Sequence, residues 1–113
     1  MSDCIFCAIV AGEAEGDILY QDEEITAFRD IYPVAPTHIL IVPNRHIGAL
    51  ATVDSQDAEL IGKMALLAPR LAEREGIAES GYRLLTNQGP DAGQLIEHLH
   101  MHVIGGRRLG RMG

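Results

Sequence analysis

Apolar residues fall along this chain in short runs with two spacings. In "CIFCAIVAG" they stand at Ile5, Phe6, Ile9 and Val10, which predicts a short helix stopped by Gly12. "DILYQDEEITAFRD" predicts two strands around a turn at Asp22 and Glu23. Pro33 and Pro36 then lead into an apolar strand from His38 to Val42, ended by Pro43. In "DSQDAELIGKMALLAPRLAEREG" the residues Leu60, Met64, Leu67 and Leu71 recur at helical spacing, with Asp54 or Ser55 as cap and Gly76 as stop. Pro69 sits inside that pattern, where proline bends a helix or breaks its last turns, and the expectation is still one helix, kinked at that point. "YRLLT" predicts a strand, "NQGPDAGQ" a turn-rich loop, and "IEHLHMHVI" the last strand. The joins between strands are too short for parallel crossovers. The expected fold is therefore α+β, a five-stranded antiparallel sheet with one long and one short helix, in a single domain over residues 1–113.

Composition narrows the function classes. Hydrophobic residues make up 47% of the 113, as in an ordinary globular protein, and no apolar run reaches the roughly 18 to 20 residues that span a membrane. The start, "MSDCIFCAIVAGEAEGD", is acidic where a signal peptide is basic, so the chain reads as cytoplasmic. The formal net charge of −7 comes with no basic stripe, which argues against an extended nucleic acid tract while leaving room for a small, locally held anion. Arg107, Arg108 and Arg111 read as a solvated tail. With two Phe, three Tyr and no Trp, the chain has few large rings, a hint that a second copy completes its core.

The chemistry concentrates in "HLHMHVIGGRR". Three of the five histidines, His98, His100 and His102, stand at alternate positions with Leu99, Met101 and Val103 between them. In a strand the histidines share one face and the apolar residues the other. Neighbouring histidines then lie about 6.5 to 7 Å apart and the outer pair about 13 Å apart, too far for one metal ion to take all three easily. Clustered histidine marks metal or acid–base chemistry. The loop before it carries Gly89, Gly93 and backbone N–H groups able to curl around an anion, placing phosphate beside imidazole. A neutral imidazole can attack phosphorus and a protonated one can donate to a leaving group. Cys4 and Cys7 form the one C-x-x-C, which could be a redox dithiol, a zinc half-site or a chance pair. Zinc needs two more ligands, with His38, His46 and one end of the histidine row as candidates.

Together these features resemble the histidine triad (HIT) family, whose signature His-φ-His-φ-His-φ-φ (φ apolar) is met by "HLHMHVI". "FRDIYPVAPTHILIVPNRHI" is similar to the family's Asp-x-x-Pro…His…Pro-x-x-His segment, and "GYRLLTNQGPDAGQ" to the segment leading to the triad. The "GGR" that follows is as in the phosphoramidase-like Hint branch. The resemblance covers nearly the whole chain from Cys4 to Arg107. It implies a homodimeric enzyme that cleaves nucleoside 5′-phosphoramidates or related nucleotidyl conjugates, His100 being the nucleophile that becomes nucleotidylated. It implies that His102 binds the phosphate and helps to move protons, with His38 in the histidine relay behind. Asn87 and the Gly93–Gln94 backbone would hold the phosphate and Asp30 the ribose hydroxyls. Phe6, Ile9, Phe28 and Ile31 would line a purine base pocket, or serve as ordinary core. Members with C-x-x-C bind zinc through residues matching Cys4, Cys7, His46 and His98, a closed structural site that leaves His100 free. Cleavage of dinucleoside polyphosphates is the alternative reaction, and a nucleotide-binding regulator with little turnover the alternative class. Leu95 stands where many members have a small hydroxyl residue, Glu97 where an aromatic is common, and "RLGRMG" ends the chain soon after the signature. These departures leave the substrate open.

Overall fold

The computed structural model describes residues 4–112. The first helix, α1 (Ile5–Val10), is capped by Cys4, whose Sγ accepts from the Cys7 N–H, and it ends before Gly12 in the left-handed region. Strands β1 (Ile18–Gln21), β2 (Ile25–Arg29) and β3 (Thr37–Pro43) follow. The turn between β1 and β2 is fixed by Asp22, whose Oδ1 accepts from the N–H groups of Glu24 and Ile25. The long helix α2 (Ala58–Arg74) runs through Pro69 without a break, its entry prepared by a 3₁₀ turn at Ser55–Asp57 capped by Asp54. It ends where Gly76 adopts φ +75° and Ile77 N–H reaches back to the Ala72 carbonyl. Strands β4 (Tyr82–Leu85) and β5 (Met101–Gly105) complete a wholly antiparallel sheet in the order β1-β2-β3-β5-β4, five strands among the described residues.

Both faces of the sheet are covered. The seven residues of the central strand β3 are all buried, and their alternation divides the molecule. Ile39 and Ile41 face α2, packing with Met64, Leu67, Ala68 and Leu71 and with Leu99, Met101 and Val103. Leu40 and Val42 face α1, where Phe6, Ile9 and Phe28 form a second, smaller core. The register aligns Phe28 with Leu40 and Leu40 with His102 on that second face, while His38 sits opposite Ile104. The period of two thus puts the polar chemistry of β3 and β5 on the α1 side.

The last strand is shorter than the hydrophobic pattern predicts. "IEHLHMHVI" alternates throughout, but the ladder begins only at Met101, paired with Ile41, although β3 runs on to Pro43, whose ring nitrogen has no N–H to donate. Leu99 N–H is held instead by the Ile47 carbonyl at 2.6 Å. The faces still alternate as expected. Leu99, Met101 and Val103 lie in the α2 core, and His98 and His100 are buried beside Phe6.

Candidate active site

Each histidine of the row is oriented by a different group. His100 Nδ1 lies 2.6 Å from the backbone carbonyl of His98. A carbonyl only accepts, so Nδ1 carries the proton and Nε2 keeps its lone pair. The Phe6 ring packs edge-on against His100, centroids 5.0 Å apart and planes at 78°. Thr86 Oγ1 donates to the His100 carbonyl at 2.7 Å, tying the backbone to the end of β4.

A second chain of bonds runs behind His100. The Val34 N–H donates to His38 Nδ1 (3.2 Å), so the His38 proton is on Nε2, which lies 2.9 Å from His102 Nδ1 and 3.4 Å from Asp30 Oδ2. His102 therefore accepts at Nδ1 and bears its proton on Nε2, a buried atom with no hydrogen-bond partner among the described residues. Burial keeps both rings neutral. It lowers the pKa of His38 against the opposing pull of Asp30, and pushes that of His102 down to about 4, with the charges of His100 and His38 adding to the effect. Asp30, His38 and His102 offer donor atoms within 4.8 Å of one another. The Val34 bond nevertheless leaves His38 Nε2 protonated, so in this arrangement that nitrogen has no lone pair to offer a metal ion.

These groups open onto a cleft of about 480 Å³. His38, His100 and His102 line it together with Asp30, Asn87 and Gly93, and the sequence-derived base pocket of Phe6, Ile9, Phe28 and Ile31 lies on its apolar wall. Phe6, Ile9 and Phe28 are also buried core, whereas Ile31 is 75% exposed at the rim. Gln94 is absent from the wall. Its side chain braces the loop, accepting from Gly89 N–H and donating to the carbonyls of Gly48 and Ile96. The N–H groups of Gly93 and Gln94 are committed to the carbonyls of Pro90 and Gly89. Thr86, Val34 and Leu40 join the site without a signal in the sequence: Thr86 donates its hydroxyl to a main-chain carbonyl far along the chain, Val34 acts through its own N–H, and Leu40 through packing.

The cysteine pair lies beside the other end of the row. Cys4, Cys7, His46 and His98 each offer one donor atom within 4.8 Å of the others. Cys4 Sγ is 3.2 Å from His98 Nδ1, and Cys7 Sγ is 3.3 Å from His46 Nδ1 and 3.5 Å from His98 Nδ1. A tetrahedral zinc with ordinary Zn–S and Zn–N lengths separates such atoms by about 3.6 Å, so the donor set fits that ion. His98 Nε2 faces the Pro43 carbonyl at 2.9 Å, which puts its proton there and turns the Nδ1 lone pair to the cysteines, as the outer partner of a metal-bound imidazole does. Burial lowers the pKa of His98, and neighbouring His46 and His100 add to that, against the opposing Pro43 bond.

The HIT domain model matches residues 11–109 of this chain. The chain belongs to the HIT family. It is an enzyme of the HIT hydrolase type and resembles the purine nucleoside phosphoramidase of Escherichia coli (strain K12), with 49% identity over 110 residues, 97% of this chain and 92% of that protein. A HIT family hydrolase from Legionella pneumophila superposes with a TM-score of 0.93 at 42% identity, covering 96% of each chain. A Zn-bound histidine triad family protein from Mycobacterium smegmatis gives 0.82 at 29% identity, covering 98% of this chain and 80% of that one. Among the described residues no helix is long and apolar enough to cross a membrane.

Proposed function

We propose that this HIT hydrolase cleaves purine nucleoside 5′-phosphoramidates through a covalent nucleotidyl-His100 intermediate. The similarity to the E. coli phosphoramidase supports the substrate class. One observation carries the route: the 2.6 Å bond from His100 Nδ1 to the His98 carbonyl, which leaves Nε2 as the nucleophilic nitrogen on the cleft wall. In the first step His100 Nε2 bonds to phosphorus as the P–N bond breaks, and the leaving nitrogen takes a proton from solvent and departs as an amine. In the second, water attacks phosphorus and loses a proton to solvent, the His100–P bond breaks with its electron pair returning to Nε2, and nucleoside monophosphate departs. His102 Nε2–H, unpaired among the described residues, donates to a non-bridging phosphoryl oxygen in both steps. Asn87 binds the phosphate from across the cleft, Asp30 holds the ribose hydroxyls, and Phe6, Ile9, Phe28 and Ile31 take the base.

Zinc, when bound at Cys4, Cys7, His46 and His98, supplies a structural link between α1 and the segment before β5. The four protein donors close its coordination, and the zinc-bound M. smegmatis relative supports this reading. A homodimer is supported by the open edge at β4, where Leu84 is 39% exposed, and by Leu66, 71% exposed on α2. The reaction is tested with an adenosine phosphoramidate. The parent is expected to release amine and adenosine monophosphate, and His100→Ala to lose turnover by at least about a thousandfold. Equal rates in the two proteins would overturn the mechanism.

A further inference from the structure

The tail that follows β5 turns back onto the relay. Gly106 has φ +94°, and a Cβ built there would stand 2.9 Å from Pro36 Cβ, so only glycine lets the chain pass this close to residues 31–36. The turn delivers Arg107 to Val34, with Nη2 donating to the Val34 carbonyl at 2.9 Å, while Nη1 reaches the Arg108 carbonyl at 2.9 Å. Val34 is thereby held at both of its backbone polar groups, since its N–H donates to His38 Nδ1. From there the bonds run through His38 Nε2 to His102 Nδ1 and end at His102 Nε2, which has no partner among the described residues.

We infer that Arg107 is a positioning residue for this reaction: by clamping the Val34 carbonyl it aims the Val34 N–H at His38 and so fixes which nitrogen of His102 presents a proton to the phosphoryl group. The segment it clamps has few other restraints. Tyr32 is 81% exposed and Val34 58% exposed. The neighbouring bonds, from Tyr32 N–H to Asp30 Oδ1 and from Asp30 N–H to the His38 carbonyl, hold the start of the segment and not Val34. If the Val34 N–H turns away, His38 Nδ1 is free to take the proton. The His38–His102 bond then reverses direction, and His102 meets the substrate with a lone pair where a donor is required. Arg107 thus acts at a distance on a single proton position, without touching substrate.

This inference rests on the proposed role of His102 in phosphoryl binding, and two readouts separate the two ideas. The ¹⁵N chemical shifts of the imidazole rings report tautomers in the substrate-free protein. The parent is expected to show His38 and His102 protonated at Nε2. In Arg107→Ala both rings are expected to populate the two tautomers, with kcat for the phosphoramidate down about tenfold and KM within about twofold. Arg107→Lys, which keeps a cationic donor, should recover most of both. Unchanged ring shifts and an unchanged kcat in Arg107→Ala would overturn the inference, as would a loss that falls on KM alone. Should Arg107→Ala fail to fold, Arg107→Gln, a neutral donor, stands in for it, with the same two readouts expected to move. A parent with no phosphoramidase activity counts against the proposed reaction, yet the ring shifts still decide the tautomer question.

Discussion

At the scale of single residues, the site works because three chemically equal rings are given unequal partners. A carbonyl fixes His100 with its lone pair at Nε2, another carbonyl turns His98 Nδ1 to the cysteines, and a backbone N–H at the far end of the relay leaves His102 a donor. That neutral, desolvated state of His102 has a consequence for stability. Its pKa falls from 6.5 in the unfolded chain to about 4 in the fold. Between those values the unfolded chain binds a proton that the folded chain refuses, so stability rises with pH across the window and is lost as pH falls from about 6.5 toward 4. The shift corresponds to roughly 3 kcal/mol for this one ring. Urea unfolding at several pH values should show that loss in the parent, and His102→Gln should show a shallower one over the same window. Parallel acid limbs in the two proteins would mean that His102 is not the ring held neutral.

At the scale of elements, the sequence was most legible where periodicity and punctuation agree. Gly12 and Gly76 end the helices, Asp22 turns β1 into β2, and the Leu60–Leu71 stripe is the face of α2 that meets the sheet. Pro69 leaves α2 one helix, as expected from the sequence, because burial of the helix face against the sheet outweighs the one backbone bond it removes. Residues 96–100 mislead: an extended chain alternates its faces with or without a ladder, and here the Leu99 N–H is taken by the Ile47 carbonyl rather than by a strand. Arg107 reads as solvated tail because its partner is a main-chain carbonyl 73 residues away, to which composition is blind. The cysteine pair is legible as a metal half-site, and the fold brings its two histidines to it from the loop after β3 and from the segment before β5. The element that depends on this is α1, six residues that pack Phe6 on His100 and help to wall the cleft. Elemental analysis of untagged protein should find about one zinc per chain in the parent and little in Cys4→Ser, whose melting temperature should fall toward that of the chelator-treated parent. A metal-free parent, or equal zinc in both, would contradict the assignment.

At the scale of the whole molecule, the sheet separates two tasks. One face is a dry core against α2, the other a thinner core against α1 into which the histidines, the cleft and the cysteine cluster are set. The proposed homodimer would cover the edge strand β4 and the exposed Leu84 and Leu66. Light scattering should therefore return twice the 12.3 kDa chain mass at micromolar concentration, and a monomer there would remove the dimer from the account. The central claim concerns covalent chemistry at one nitrogen, and mass spectrometry of the enzyme itself reaches it most directly. Protein mixed with an adenosine phosphoramidate, quenched in base and digested, should carry an adenosine monophosphate adduct on the peptide that holds His100, mapped to that ring and absent from His100→Ala. Full turnover with no adduct at any time point, or an adduct mapped to His102, would contradict it.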